Sequence, residues 1–260
     1  MSNHVLPQRV IITGATSGIG TALAHCYARR GAVLGLIARR KTELEQLAAR
    51  LSTPVEIYPA DVRDSAALQA AAADFLARHG CPDIVIANAG VSTGTLTEFA
   101  QDIAAFQEVL DINVLGMVKT FQPFVAAMRS AGQGALVGIA SVAGYRGLPG
   151  AAAYSASKTA TISYLESLRV ELRASGVKVV TICPGYIATP MTSQNPYPMP
   201  FILSADAAAQ RIAGIIARGT TFAVIPWQMA IVARVLRVLP NWLYDRLFGN
   251  APRKPRATRS

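Results

Sequence analysis

Seven short apolar runs mark out the chain: RVIITG (9–14), AVLGLIA (32–38), VEIYPA (55–60), DIVIANAG (83–90), GALVGIAS (134–141), VKVVTICPG (177–185) and TFAVIP (221–226). Their apolar residues follow one another without strict polar alternation, as in strands covered on both faces. Between them lie Ala- and Leu-rich stretches of helical length, among them 18–30, 41–51, 64–79, 102–131 and 151–175. Alternating strands and helices require right-handed crossovers, which predicts an α/β fold: one doubly wound domain, a seven-stranded parallel sheet with helices on both faces. No internal repeat or interdomain linker interrupts residues 1–249. The end, NAPRKPRATRS (250–260), carries two prolines and four cations in a few positions and reads as a basic tail, disordered or loosely held.

The last periodic segment, 227–248, is of another kind. At 100° per residue Trp227, Met229, Ile231, Val232, Val235, Leu236, Val238 and Leu239 fill an arc of about 200°, interrupted by Gln228, with Arg234 and Arg237 opposite. Such a basic amphipathic helix can lie in a membrane interface, pack on its own domain or bury itself against another subunit. Peripheral membrane contact through 227–260 is one of these three expectations.

The first strand runs into TGATSGIG, with Gly14, Gly18 and Gly20 ahead of a helix. Glycines there let backbone N–H groups approach a pyrophosphate, and the helix N-terminus adds partial positive charge. Thr16, Ser17 and Ile19 complete the loop of what is then a Rossmann-type domain. The spacing is Gly-x-x-x-Gly-x-Gly, not the commoner Gly-x-Gly-x-x-Gly, and in this the chain resembles the short-chain dehydrogenase/reductase family. At the end of the second strand a dinucleotide fold places an acid for a ribose 2′-hydroxyl or an arginine for a 2′-phosphate. The chain has Arg39 and Arg40 in LIARRK, which favours NADP over NAD. The resemblance implies further cofactor contacts from Asp61 and Val62 in PADV and from Asn88, Ala89 and Gly90 in ANAG, where Ala87 replaces the family's first Asn. It adds Pro184, Gly185, Ile187 and Thr189 in PGYIAT, near the nicotinamide.

YSASK puts Tyr154 and Lys158 one helical turn apart, on one face. A phenol ionises near ~10, and a neighbouring cation stabilises its phenolate, making Tyr154 a usable general acid or base. Ser141 ends the fifth strand, at the sheet edge where ligands collect. The resemblance gives Ser141 a hydrogen bond to the reacting oxygen and Lys158 a second role on the nicotinamide ribose. It also gives Asn113, in LDINVLG, a helix bend and a water linked to Lys158. MTSQNPYPMPFILSA (191–205) corresponds to the family's substrate lid, and its apolar character suits a lipophilic carbonyl or alcohol substrate, although the same side chains could simply pack on the core. Tyr145, Arg146 and Leu148 could line the same cleft; Arg146 could equally lie on the surface or at an interface. Family members pair into homodimers or homotetramers.

Composition removes other classes. Cys26, Cys81 and Cys183 are odd in number and far apart, suggesting neither a disulfide framework nor a metal site, and they suit a reducing cytoplasm. His4, His25 and His79 lie off every motif. The start, MSNHVLPQRVIITG, lacks the order of a signal peptide, and no stretch is long and apolar enough to span a bilayer. The expected location is cytoplasmic, with the inner membrane surface as a possible docking place. Of the net charge of +10, seven basic residues against Asp245 from Trp227 onward supply +6. No basic recognition element interleaved with aromatics accompanies them, so nucleic acid is not an expected partner. The expected activity is hydride transfer between NADP and a carbonyl or alcohol. The alternative is a redox-sensing or scaffold protein that binds a dinucleotide without turnover.

Overall fold

A computed structural model describes residues 7–256; His4 and Arg259, like the two chain ends generally, lie outside them. Among the described residues nine strands occur: β1 (Arg9–Thr13), β2 (Val33–Ala38), β3 (Val55–Pro59), β4 (Ile84–Ala87), β5 (Ala135–Ile139), β6 (Lys178–Pro184), β7 (Ile187–Ala188), β8 (Leu203–Ser204) and β9 (Phe222–Ile225). The helices are α1 (Gly18–Ala28), α2 (Lys41–Ala48), α3 (Ser65–His79), α4 (Asp102–Leu110), α5 (Gly116–Ala131), α6 (Ala152–Glu171), α7 (Ala205–Ala217), α8 (Trp227–Val238) and α9 (Asn241–Phe248).

All seven predicted strands form one parallel sheet, ordered β3-β2-β1-β4-β5-β6-β9. Ile12 pairs with Leu36 on one side and Ile86 on the other, and the register continues through Val137 to Val180. Alternate strand positions feed opposite faces. Val10, Ile12, Leu34, Leu36 and Ile86 pack under α1 and α7, whereas Ile11, Val85, Leu136 and Val179 pack with Phe75, Phe121, Phe124 and Leu165 of α3, α5 and α6. Burial on both faces is why the strand sequences lack alternation. The strand order reverses between β1 and β4, and such a switch point opens a crevice at the carboxyl edge of the sheet.

The helix expected over 102–131 carries a π turn at Asp111–Leu115 that contains Asn113, where the family resemblance implied a bend. Two other local features depart from the sequence expectation. A helix, α7, and a two-stranded ribbon, β7 with β8, occupy the region after the sixth strand. The tail expected to be loose is laid down as far as Arg256. Gly94 N–H donates to Pro255 O (3.1 Å), and Lys254 Nζ donates to Ser92 Oγ (2.8 Å). Arg256 binds the buried Asp102 carboxylate through Nε (2.8 Å) and Nη2 (3.0 Å) while lying 3.6 Å from the centre of the Phe99 ring. A bidentate, stacked guanidinium holds a chain end that composition alone would leave free.

Candidate active site

The glycine loop is forced by close backbone packing. Gly14 has φ +65°, and a Cβ there would lie 2.8 Å from Ala89 Cα; a Cβ on Gly20 would strike the Gly14 carbonyl. The loop is then locked to the end of β4. Thr13 Oγ1 accepts from Asn88 N–H (3.1 Å) and Ala89 N–H (3.2 Å), and the Asn88 amide donates to the carbonyls of Thr13 (3.0 Å) and Gly14 (3.3 Å). This fixes a cradle whose N–H groups and helix terminus suit a pyrophosphate.

The cradle opens into a cleft of about 260 Å³. Its walls include Gly14, Thr16, Ser17, Gly18 and Ile19; Arg39 and Arg40; Asp61 and Val62; Asn88, Ala89 and Gly90; Ser141, Tyr154 and Lys158; and Pro184, Gly185, Ile187 and Thr189. Segments from six crossovers thus converge on one space. Gly20 is packed behind the loop, and Asn113 lies beneath Gly90, where a Cβ would come 3.2 Å from Asn113 Oδ1 and 3.7 Å from Lys158 Nζ. Ala38, Ala60, Val91, Ile112, Ile139, Ala140, Met191 and Thr192 also line the cleft. Met191 and Thr192 belong to the expected lid segment; the others were not singled out in the sequence, because an apolar wall residue carries no mark distinguishing it from core.

At the β2 end the guanidinium groups stand in solvent. Arg40 Nη1 meets Glu43 at 2.8 Å and its Nη2 donates to Thr16 Oγ1 (3.2 Å), while Arg39 comes only within 3.9 Å of Asp61. Asp61 is bound more tightly by Arg63, through N (2.9 Å), Nε (3.1 Å) and Nη2 (2.7 Å), and these bonds hold its carboxyl below the ordinary carboxylate range. Arg63 had no signal in the sequence beyond its spacing from Asp61.

At the other end Lys158, 5% exposed, donates from Nζ to Ile139 O (2.8 Å) and lies 5.7 Å from the centre of the Tyr154 ring. Burial brings the Lys158 ammonium down to about 8. Burial also raises the Tyr154 phenol above its ordinary value, against the opposing hydrogen bond of Ser141. The depressed phenol expected from sequence is therefore corrected: tyrosine and lysine share a low-dielectric wall that disfavours the charged form of each. Ser141 Oγ accepts from Ala143 N–H (3.1 Å) and points towards Pro184 O (3.5 Å), which anchors the hydroxyl beside the phenol.

Asn113 is a clamp. Its Oδ1 accepts from Val91 N–H (2.8 Å), and Nδ2 donates to Val91 O (3.0 Å) and to Ser157 Oγ (2.9 Å). Ser157 in turn donates to Tyr154 O (2.7 Å), so the π turn is tied to the helix that carries Tyr154 and Lys158. Ser157 lay in plain view between those two residues, with nothing in its spacing to betray the role. Both amide hydrogens of Asn113 are consumed, so a water linked to Lys158 would need the second Oδ1 lone pair or the backbone. Arg146 does not line the cleft: it caps the end of α8, with Nη1 on Leu236 O (2.9 Å) and Leu239 O (2.6 Å).

The profile of the short chain dehydrogenase family matches residues 8–198. This chain belongs to that family. It is 38% identical over 241 residues to an uncharacterised oxidoreductase of Myxococcus xanthus, spanning 92% of this chain and 95% of the relative. It is 33% identical over 257 residues to an 11-beta-hydroxysteroid dehydrogenase-like 2 protein of Arabidopsis thaliana, spanning 94% and 83%. A crystal structure of a short-chain dehydrogenase from Streptomyces avermitilis superposes with a TM-score of 0.79 at 25% identity, covering 88% of this chain and 92% of that one. The short-chain dehydrogenase fold binds a nicotinamide dinucleotide, and the cradle described above has the shape and donors for one. As a family member the protein is an oxidoreductase. Among the described residues no helix is long and apolar enough to cross a membrane.

Proposed function

We propose that this oxidoreductase is an NADP-dependent reductase of carbonyl compounds, with the corresponding alcohol as product. The observation that carries the reading is convergence: Ser141, Tyr154 and Lys158 share one cleft with the glycine loop and with two arginines where a 2′-phosphate would sit. Bound there, NADPH would supply the hydride that reduces the carbonyl carbon. The loop N–H groups and the start of α1 would hold the pyrophosphate, Arg39 and Arg40 the 2′-phosphate, and Lys158 the ribose.

Ser141 orients the carbonyl by donating a hydrogen bond to its oxygen. Tyr154 donates its proton to that same oxygen, which becomes the alcohol hydroxyl. A phenol raised by burial stays protonated at neutral pH, the state a general acid needs. The Lys158 ammonium, charged below about pH 8, stabilises the phenolate left behind. Asn113 and Ser157 keep the floor and the helix in register.

Tyr197 of the lid comes close enough to Tyr154 for their ionisations to interact, Met191 lines the cleft, and Phe201 and Ile202 of the same segment are exposed. Those side chains, and the name of the Arabidopsis relative, support a lipophilic substrate. Exposed Ile103 on α4, Leu115 in the π turn and Val170 on α6 support pairing of copies through these helices. The test is Tyr154→Phe. NADPH binding followed by fluorescence should persist, while carbonyl-dependent NADPH oxidation falls by about 10²-fold or more. Turnover unchanged by the substitution would remove Tyr154 from this mechanism, whereas NADPH binding with no carbonyl-dependent oxidation in the wild type would leave a dinucleotide-binding protein without this chemistry.

A further inference from the structure

Helix α8 meets the domain with only part of its apolar arc. Met229 and Ala233 are buried, and Met229 packs against Gly185 at the cleft wall. Trp227, Ile231, Val235 and Val238 face outward at 66%, 53%, 50% and 78% exposure. On a 100° wheel these four span about 80°, and Arg234 borders them beside Trp227, on the flank that leads past Arg237 to the buried Ala233. After a break at Pro240, α9 adds exposed Trp242, with Arg246 exposed nearby in sequence. An apolar stripe of this length on a soluble surface marks an interaction site.

We propose that this stripe docks on an anionic lipid surface. Tryptophan beside arginine on an exposed amphipathic helix is the composition of a helix lying in the headgroup layer. Charge selects lipid over a second copy of the chain. Two copies meeting through this face would bring Arg234 and Arg246 of each together with only Asp245 to offset them, whereas an anionic bilayer neutralises both; Arg237 is turned back to the domain, its Nη1 donating to Tyr145 O (3.3 Å). The helices are also firmly seated on the catalytic loop. Arg146 caps α8 and lies 4.2 Å from the centre of the Tyr244 ring, and Tyr244 Oη donates to Gly147 O (2.5 Å). Docking would therefore hold the Ser141–Gly147 loop and the cleft mouth at a fixed place relative to the membrane. The inference is independent of the reaction proposed above.

The experiment uses the full chain and vesicles of phosphatidylcholine alone or mixed with phosphatidylglycerol, read by co-sedimentation and by the tryptophan emission maximum. The expected result is binding to anionic vesicles, a blue shift, and weakening by salt. Each arginine near an anionic surface is worth about fivefold in partitioning, so R234Q/R246Q should weaken binding by about 25-fold. W227S/V235S should abolish it. Both variants should keep NADPH oxidation with a small water-soluble carbonyl and the same circular dichroism. The proposal is overturned if the wild type ignores anionic vesicles, if it binds neutral and anionic vesicles alike, or if light scattering shows that W227S/V235S halves the particle mass, which would assign the stripe to a second copy.

Discussion

Cofactor choice offers a sharp quantitative check, because Arg39 and Arg40 differ in how they are already engaged. Arg40 is committed to Glu43 at 2.8 Å and to Thr16 at 3.2 Å, and must loosen one contact to reach a 2′-phosphate. Arg39 has only a 3.9 Å approach to Asp61, whose carboxylate is already held by Arg63. Both side chains are more than half exposed, at 59% and 58%. Screening then limits each guanidinium–phosphate contact to about 1 kcal/mol, the upper end for surface pairs. Removing both costs NADPH about 2 kcal/mol, or about 30-fold at 1.4 kcal/mol per decade, and costs NADH little. The assay is kcat/KM for each cofactor at fixed carbonyl concentration and constant ionic strength, in R39A, R40A and the double variant. Arg39→Ala should take the larger share, and Glu43→Gln should modestly strengthen NADPH use by freeing Arg40. An equal fall for NADPH and NADH in the double variant would refute the reasoning, since it would place both guanidinium groups on features common to the two cofactors.

The Lys158 ammonium titrates near 8, so reduction should show an alkaline limb there: a depressed lysine loses its charge, and its hold on the phenolate, as pH rises through that value. In Lys158→Met activity should be low and that limb absent, and an unchanged limb would assign it elsewhere. By the same depression the native state binds fewer protons than the unfolded chain between about 8 and 10.5, so this group lets stability rise with pH across that window. Ser157→Ala should leave one buried Asn113 hydrogen unpaired and cost about 1–3 kcal/mol in denaturant unfolding; no measurable change would mean the amide finds another partner. Arg256→Ala should free the chain end, so that trypsin cleaves after Arg253 faster than in the wild type; equal rates would show that the Asp102 contact does not hold the segment.

The strands, the glycine turn and the Tyr154–Lys158 pair were legible in the sequence because each rests on local chemistry. A strand buried on both faces must be continuously apolar, a turn touching backbone must be glycine, and two side chains four apart must share a helix face. The sign of the tyrosine's shift was not legible. It depends on how much of the phenol and ammonium the fold removes from water, and desolvation is a property of the assembled wall. Asn113 was visible as a motif residue, but its clamp on Val91 and Ser157 arises from a loop and a helix 22 and 44 residues distant. The tail illustrates the same division. Its composition announced a free basic end, and only the buried Asp102, 154 residues away, turned Arg256 into an anchor. For α8 the sequence determined an apolar arc with arginines opposite; the tertiary structure decided which edge of that arc is buried, because the domain surface covers Met229 and Ala233 fully and Val232, Leu236 and Leu239 in part, and leaves the tryptophan edge in solvent.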